Sequence, residues 1–94
     1  MSESVVVVNT KASPDQVQAA VDRLGTPNGV RWISVDGDAP EYVGYKTEVW
    51  LHGPEADELD VDYARQLSDA LGVSVLTNPE LEAAMSQATD GARP

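Results

Sequence analysis

Four consecutive valines, Val5–Val8, restrict the fold of this 94-residue chain more than any other segment. β-Branched side chains are stiff at χ1 and suit a pleated strand better than a helix. An apolar run this short, without alternation, predicts a strand over Val5 to Asn9 that is buried on both faces and central in its sheet. Such a strand needs apolar cover on two sides, and the stock is modest. Val, Leu and Ile total 21, of which 13 are Val, and 41% of residues are apolar. That is enough for one thin core in one small domain, whose stability a second copy would raise.

The segments that follow carry helix and strand signals in turn. Ser13-Pro14-Asp15-Gln16 is a capping box with Pro at the first helical position. Val17, Ala20, Val21 and Leu24 then give one apolar face, and Gly25 and Pro27 stop the helix. Val30 to Val35 alternates as a strand, and Asp36 to Glu41 is a breaker-rich loop. Tyr42 to His52 is the next strand, pairing with the previous one as an antiparallel hairpin. It places Tyr45, Thr47, Val49 and Leu51 on one face and Lys46, Glu48, Trp50 and His52 on the other. After Gly53-Pro54, Asp57 or Asp60 caps a second helix with Val61, Ala64, Leu67, Ala70 and Leu71 as its apolar stripe and Tyr63 beside it. Gly72 ends it. Val73 to Thr77 is a short strand. Asn78 then caps a third helix, with Pro79 at its first position and Leu81, Ala84, Met85 and Ala88 facing inward.

The order strand, helix, strand, strand, helix, strand matches an α+β, ferredoxin-like split β-α-β unit (βαββαβ), with an additional C-terminal helix. Right-handed crossovers put the first two helices on one face and give strand order 4-1-3-2. The expected organisation is one α+β domain over residues 1–89 and a flexible tail over residues 90–94.

Charge and missing residue types narrow the function. There are 16 Asp and Glu against 6 Lys and Arg, a net charge of -10. That opposes binding to nucleic acid or to an anionic membrane. It favours solubility, which alone would account for it, and attraction to basic partners. The absence of cysteine removes disulfides, thiolate nucleophiles and Cys-ligated metals. It fits a cytoplasmic protein. The start carries an acid and no Lys or Arg, and its apolar run is short, so a signal peptide is not expected. No phosphate-binding Gly-rich loop or paired-histidine motif is present, and no cofactor is expected.

Four groups of residues are candidates. If Ile33, Val35, Val49 and Leu51 face the helices, Trp32, Trp50 and His52 lie on the opposite face, where two Trp would form an interface unless the third helix covers them. Glu55, Asp57, Glu58, Asp60 and Asp62 form an acidic ridge at the start of the second helix. Helix-terminal stabilisation accounts for part of it, and the rest suits a basic partner. Asp36, Asp38 and Glu41 offer oxygen ligands but lack the spacing of a calcium loop, and read as a solvated hairpin loop. His52 could act as a general base with Glu48, two residues away on its own face, and Ser34 as nucleophile. Ser34 has no nucleophile elbow, however, and His52 reads as a surface residue at a strand end.

The leading expectation is a small acidic, non-catalytic protein-binding module. It would dock a basic partner through the ridge and the Trp-bearing face, as an inhibitor or immunity-type protein does. A second reading is a small-ligand or regulatory domain that forms a homodimer through its sheet. A third is a cofactor-free enzyme of the dimeric ferredoxin-like type, using His52, Glu48 and Tyr45.

Overall fold

The computed structural model describes residues 2–91. It is a small α+β domain with a four-stranded antiparallel sheet and three helices. The elements are β1 (Ser2–Asn9), α1 (Pro14–Leu24), β2 (Trp32–Asp36), β3 (Tyr45–Gly53), α2 (Ala56–Leu71), β4 (Val75–Thr77) and α3 (Asn78–Gly91). The strands lie in the order β2-β3-β1-β4, so β1 and β3 are central. Residues 92–94 of the expected tail lie outside the described residues. No helix among the described residues is long and apolar enough to cross a membrane.

The valine run occupies the centre of the sheet, and Val6, Val7 and Val8 are all buried. Val6 and Val8 join the main core with Val49 and Leu51 of β3, Val17, Ala20 and Val21 of α1, and Tyr63, Ala64 and Leu67 of α2. Full burial of a Val or Leu side chain stabilises by about 1.5–3 kcal/mol, so this layer supplies most of the driving force. Val7 points the opposite way, and it pairs with Leu76 of β4. α3 packs against β1 and β4 and buries Leu81. Three layers result, in which α1 and α2 cover one face of the sheet and α3 covers the β1–β4 half of the other.

The capping box of α1 forms as read. Ser13 Oγ accepts from the Gln16 amide, and Gln16 Oε1 accepts from the Ser13 amide. Other boundaries differ. β1 starts at Ser2, because Ser2, Glu3 and Ser4 pair with Gly53, His52 and Leu51. β2 starts at Trp32 and not Val30, whose amide donates to Pro27 O while its side chain enters the core. The hairpin tip is a tight turn at Val43-Gly44, closed by mutual hydrogen bonds between Tyr42 and Tyr45.

α2 begins at Ala56, earlier than a cap at Asp57 or Asp60 allows. Glu55 holds the cap position without a side-chain hydrogen bond. Its buried face consists of Ala56, Tyr63, Ala64 and Leu67, whereas Val61 is 55% exposed and Ala70 is exposed. Ala56, Tyr63, Ala64 and Leu67 fall at i, i+7, i+8 and i+11 on one face of the helix, and Val61 lies off that face. α3 begins at Asn78, so Thr77 precedes it where Asn78 was expected to cap. The Thr77 amide and hydroxyl both donate to Glu80 Oε1. The side chain of Ala88 lies outside the described residues.

Candidate functional site

Alternation along the strands fixes what the half-covered face carries. β1 contributes Glu3 and Val5, β3 contributes Glu48, Trp50 and His52, and β2 contributes Trp32 and Ser34. The register sets Glu3 opposite His52, and His52 opposite Trp32, so these three form one row across β1, β3 and β2. α3 packs on the β1–β4 side, and Trp32, on the β2 edge, is 52% exposed.

His52 is the centre of this row. Its ring stacks on Trp32 with centroids 3.6 Å apart and planes within 6°. Nε2 lies 3.1 Å from Ser34 Oγ. Nδ1 lies 3.3 Å from Glu3 Oε2. The His52 side chain is 13% exposed, against 58% for Glu3. With the ring proton on Nδ1, facing the Glu3 carboxylate, Nε2 carries the lone pair that accepts the Ser34 hydroxyl. The ring is therefore held at both nitrogens and over one face.

Glu48, read from the sequence as the partner of His52, instead accepts from Trp50 Nε1 at 3.1 Å. Trp50 is half-buried beside the stack. Tyr45 is half-buried and lies on the helix-facing side of β3, at the opposite end of the strand from His52 and on its opposite face. The residue that the sequence did not bring forward is Glu3. Glu3 enters the row only through the pairing of the start of β1 with the end of β3, which no local pattern in the sequence marks.

The acidic ridge lies on the other side of the sheet. Glu55, Asp57, Glu58 and Asp62 are exposed. Asp60 is half-buried and accepts from Ser4 Oγ at 2.7 Å, which ties the first turns of α2 to β1. The ridge and the stack nonetheless meet at one end of the molecule. β3 ends at Gly53 and α2 starts at Ala56, so only two residues separate the His52 end of the sheet from the ridge. The Glu55 amide donates to Gly29 O there, and Arg31 is exposed next to Trp32.

In the hairpin loop, Asp36 Oδ1 accepts from the Asp38 amide at 3.0 Å, which is a local turn contact. No cluster of three metal-ligating side chains occurs among the described residues. Among the described residues, two titratable groups are displaced from their ordinary behaviour. Burial, and then the negative charge of Asp22, push the Tyr63 hydroxyl up to about 12. The amide and then the hydroxyl of Thr77 hold the Glu80 carboxyl below its ordinary range. Neither group is in the row of Glu3, His52 and Trp32. Compared with protein-family models, with curated proteins and with solved structures, the chain matches none.

Proposed function

We propose that this chain is a small acidic protein-binding module that docks a basic partner at the end of the molecule where Trp32 and the ridge meet. The observation that carries this reading is the exposure of Trp32, 52%, on a preordered stack. An exposed Trp held rigid by stacking loses little side-chain freedom on binding, which is the property of interface hot spots. Glu3 and Glu55 bring negative charge to that end beside the exposed Arg31, and Asp57 and Glu58 follow in the first turn of α2. They would steer a basic partner and set its orientation. The ridge alone would not serve, because acids at a helix start have a local structural use.

We also place the fold in the ferredoxin-like class. The neighbours read β4-β1-β3-β2 from the β4 edge, and the three pairings β1–β3, β1–β4 and β2–β3 are all antiparallel, which supports that placement. A cytoplasmic setting fits a chain without cysteine.

The test is affinity capture from native lysate with salt-gradient elution. The wild type is compared with Trp32→Ala and with Asp57→Lys/Glu58→Lys. One basic protein that is retained by the wild type and lost from both variants is the expected result. A spread of basic proteins retained equally by all three would make the charge non-specific and end the reading.

A further inference from the structure

We propose that Ser34 is an activated nucleophile, with His52 as its general base and Glu3 as the residue that positions the base. This goes beyond the docking reading and does not rest on it. A hydroxyl becomes nucleophilic when a base sits within hydrogen-bond reach and a third group orients that base. The three parts come from three adjacent strands. Ser34 Oγ lies 3.1 Å from His52 Nε2. Glu3 Oε2 lies 3.3 Å from His52 Nδ1. The Trp32 ring, 3.6 Å away and parallel within 6°, fixes the imidazole plane.

Each of the other charged groups on this face from β2 and β3 is engaged or distant. Lys46 donates to Gly37 O, Glu48 accepts from Trp50, and Asp36 accepts from the Asp38 amide at the far end of β2. Glu3 is the carboxylate within ion-pair distance of the ring. Its negative charge favours the Nδ1–H form and so leaves Nε2 free to take the serine proton.

The substrate class is an activated ester with an apolar or aryl acyl group, which would lie on the exposed Trp32 ring. Ser34 Oγ forms a bond to the acyl carbon while its proton passes to His52 Nε2. The bond from that carbon to the leaving oxygen then breaks, and Nε2 returns the proton to the departing alkoxide. Water repeats the sequence on the acyl-serine, releasing the carboxylic acid and restoring Ser34. Backbone N–H groups within a sheet point along the strand-to-strand direction and give no oxyanion donors above the face. Ser34 is accordingly reactive without the further rate factor that such donors provide.

The probe is an alkyl fluorophosphonate, which phosphonylates serine with loss of fluoride, applied to the full chain and read by peptide mass mapping over time. General-base assistance contributes roughly 10²–10⁴-fold. Ser34 is therefore expected to react at least ~10²-fold faster than the exposed Ser74 and Ser86 of the same molecule. In His52→Ala the Ser34 rate falls to that of the reference serines. In Glu3→Ala the Ser34 rate falls toward that of His52→Ala, and the conservative Glu3→Asp restores it in part. A purely structural role for Glu3 would lower the unfolding midpoint and leave the ratio of Ser34 to reference-serine labelling unmoved. Equal labelling of Ser34, Ser74 and Ser86 in the wild type, which needs no variant to fold, would overturn the proposal. So would a Ser34 rate unchanged by His52→Ala.

Discussion

Replacing Tyr63 with Phe should stabilise this protein, against the usual direction of core substitutions. Tyr63 is 1% exposed, in the main core, and its hydroxyl has no hydrogen-bond partner among the described residues. A hydroxyl desolvated without a partner costs roughly 1–3 kcal/mol by mutational measures. Tyr63→Phe removes that cost and keeps the ring, whose packing against α1 and the sheet is unchanged. The small void left by the oxygen takes back part of the gain, so a net increase of about 1 kcal/mol is expected. A domain of this length has an unfolding entropy of roughly 0.2 kcal/mol/K, so the melting temperature should rise by ~5 °C.

Alkaline pH supplies a second arm of the same test. Burial, then Asp22, raise the Tyr63 hydroxyl from 10.0 to about 12 in the folded protein. A raised folded value means that the fold holds a proton that the unfolded chain releases. The stabilisation linked to it is fully present below the unfolded value and is lost as pH rises toward the folded one. The wild type should therefore weaken between pH 10 and about 12 by more than the Phe variant does. Urea unfolding, followed by circular dichroism at neutral pH and across that window, measures both effects. A Phe variant less stable than the wild type at neutral pH would refute the reasoning, because it would mean that the hydroxyl is satisfied.

Three further predictions concern single positions. Val43 has φ 46 and Gly44 φ 88 in the two-residue hairpin turn, a conformation that Asn tolerates and a β-branched residue resists. Val43→Asn should thus raise stability by about 1 kcal/mol in thermal unfolding, and an unchanged midpoint would remove the strain. A Cβ at Gly53 would meet Arg31 N, Gly29 O and Val30 Cα, each at 2.8 Å. These are backbone atoms that cannot rotate aside, so Gly53→Ala should cost about 2 kcal/mol in urea unfolding. The Glu80 carboxyl is held below its ordinary value of 4.5 by the Thr77 amide and hydroxyl. Its contribution is present above the unfolded carboxylate value and is lost as pH falls through the lowered folded one. The stability advantage of wild type over Glu80→Gln should shrink on acidification, and a constant gap would contradict that account.

What could be read in advance divides by the range of the interaction. The Val5–Val8 run and the Ser13–Gln16 box are local signals, and both appear where the residues put them. The apolar stripe of α2 is legible in part. Ala64, Leu67 and Leu71 face the core as their spacing implies, but Val61, apolar by type, is 55% exposed, while Tyr63 enters the core. Helix phase there is decided by which residue fills the space over β1, and that is a tertiary quantity. The pairing of Trp32 with Trp50 on one face was legible from alternation. The stack of Trp32 on His52 was not, since it depends on β2 and β3 meeting in one register. Glu3 joins the row only because β1 extends back to Ser2, through pairing with the end of β3. Non-local pairing of this kind has no signature in a single strand.

The measurement that bears most directly on the docking reading is calorimetric titration of the captured partner. Wild type would be compared with Trp32→Ala and with Asp57→Lys/Glu58→Lys, at low and high salt. Trp32 stacks on His52, so Trp32→Ala should cost about 1 kcal/mol of stability, and titration well below the melting temperature keeps the change that is read in binding. The account predicts a loss of about 30-fold for Trp32→Ala, the size of a hot-spot truncation, with salt dependence retained. For the charge reversal it predicts weaker binding and a flattened salt dependence. An affinity unchanged in both variants would contradict the claim that this end of the molecule is the docking site.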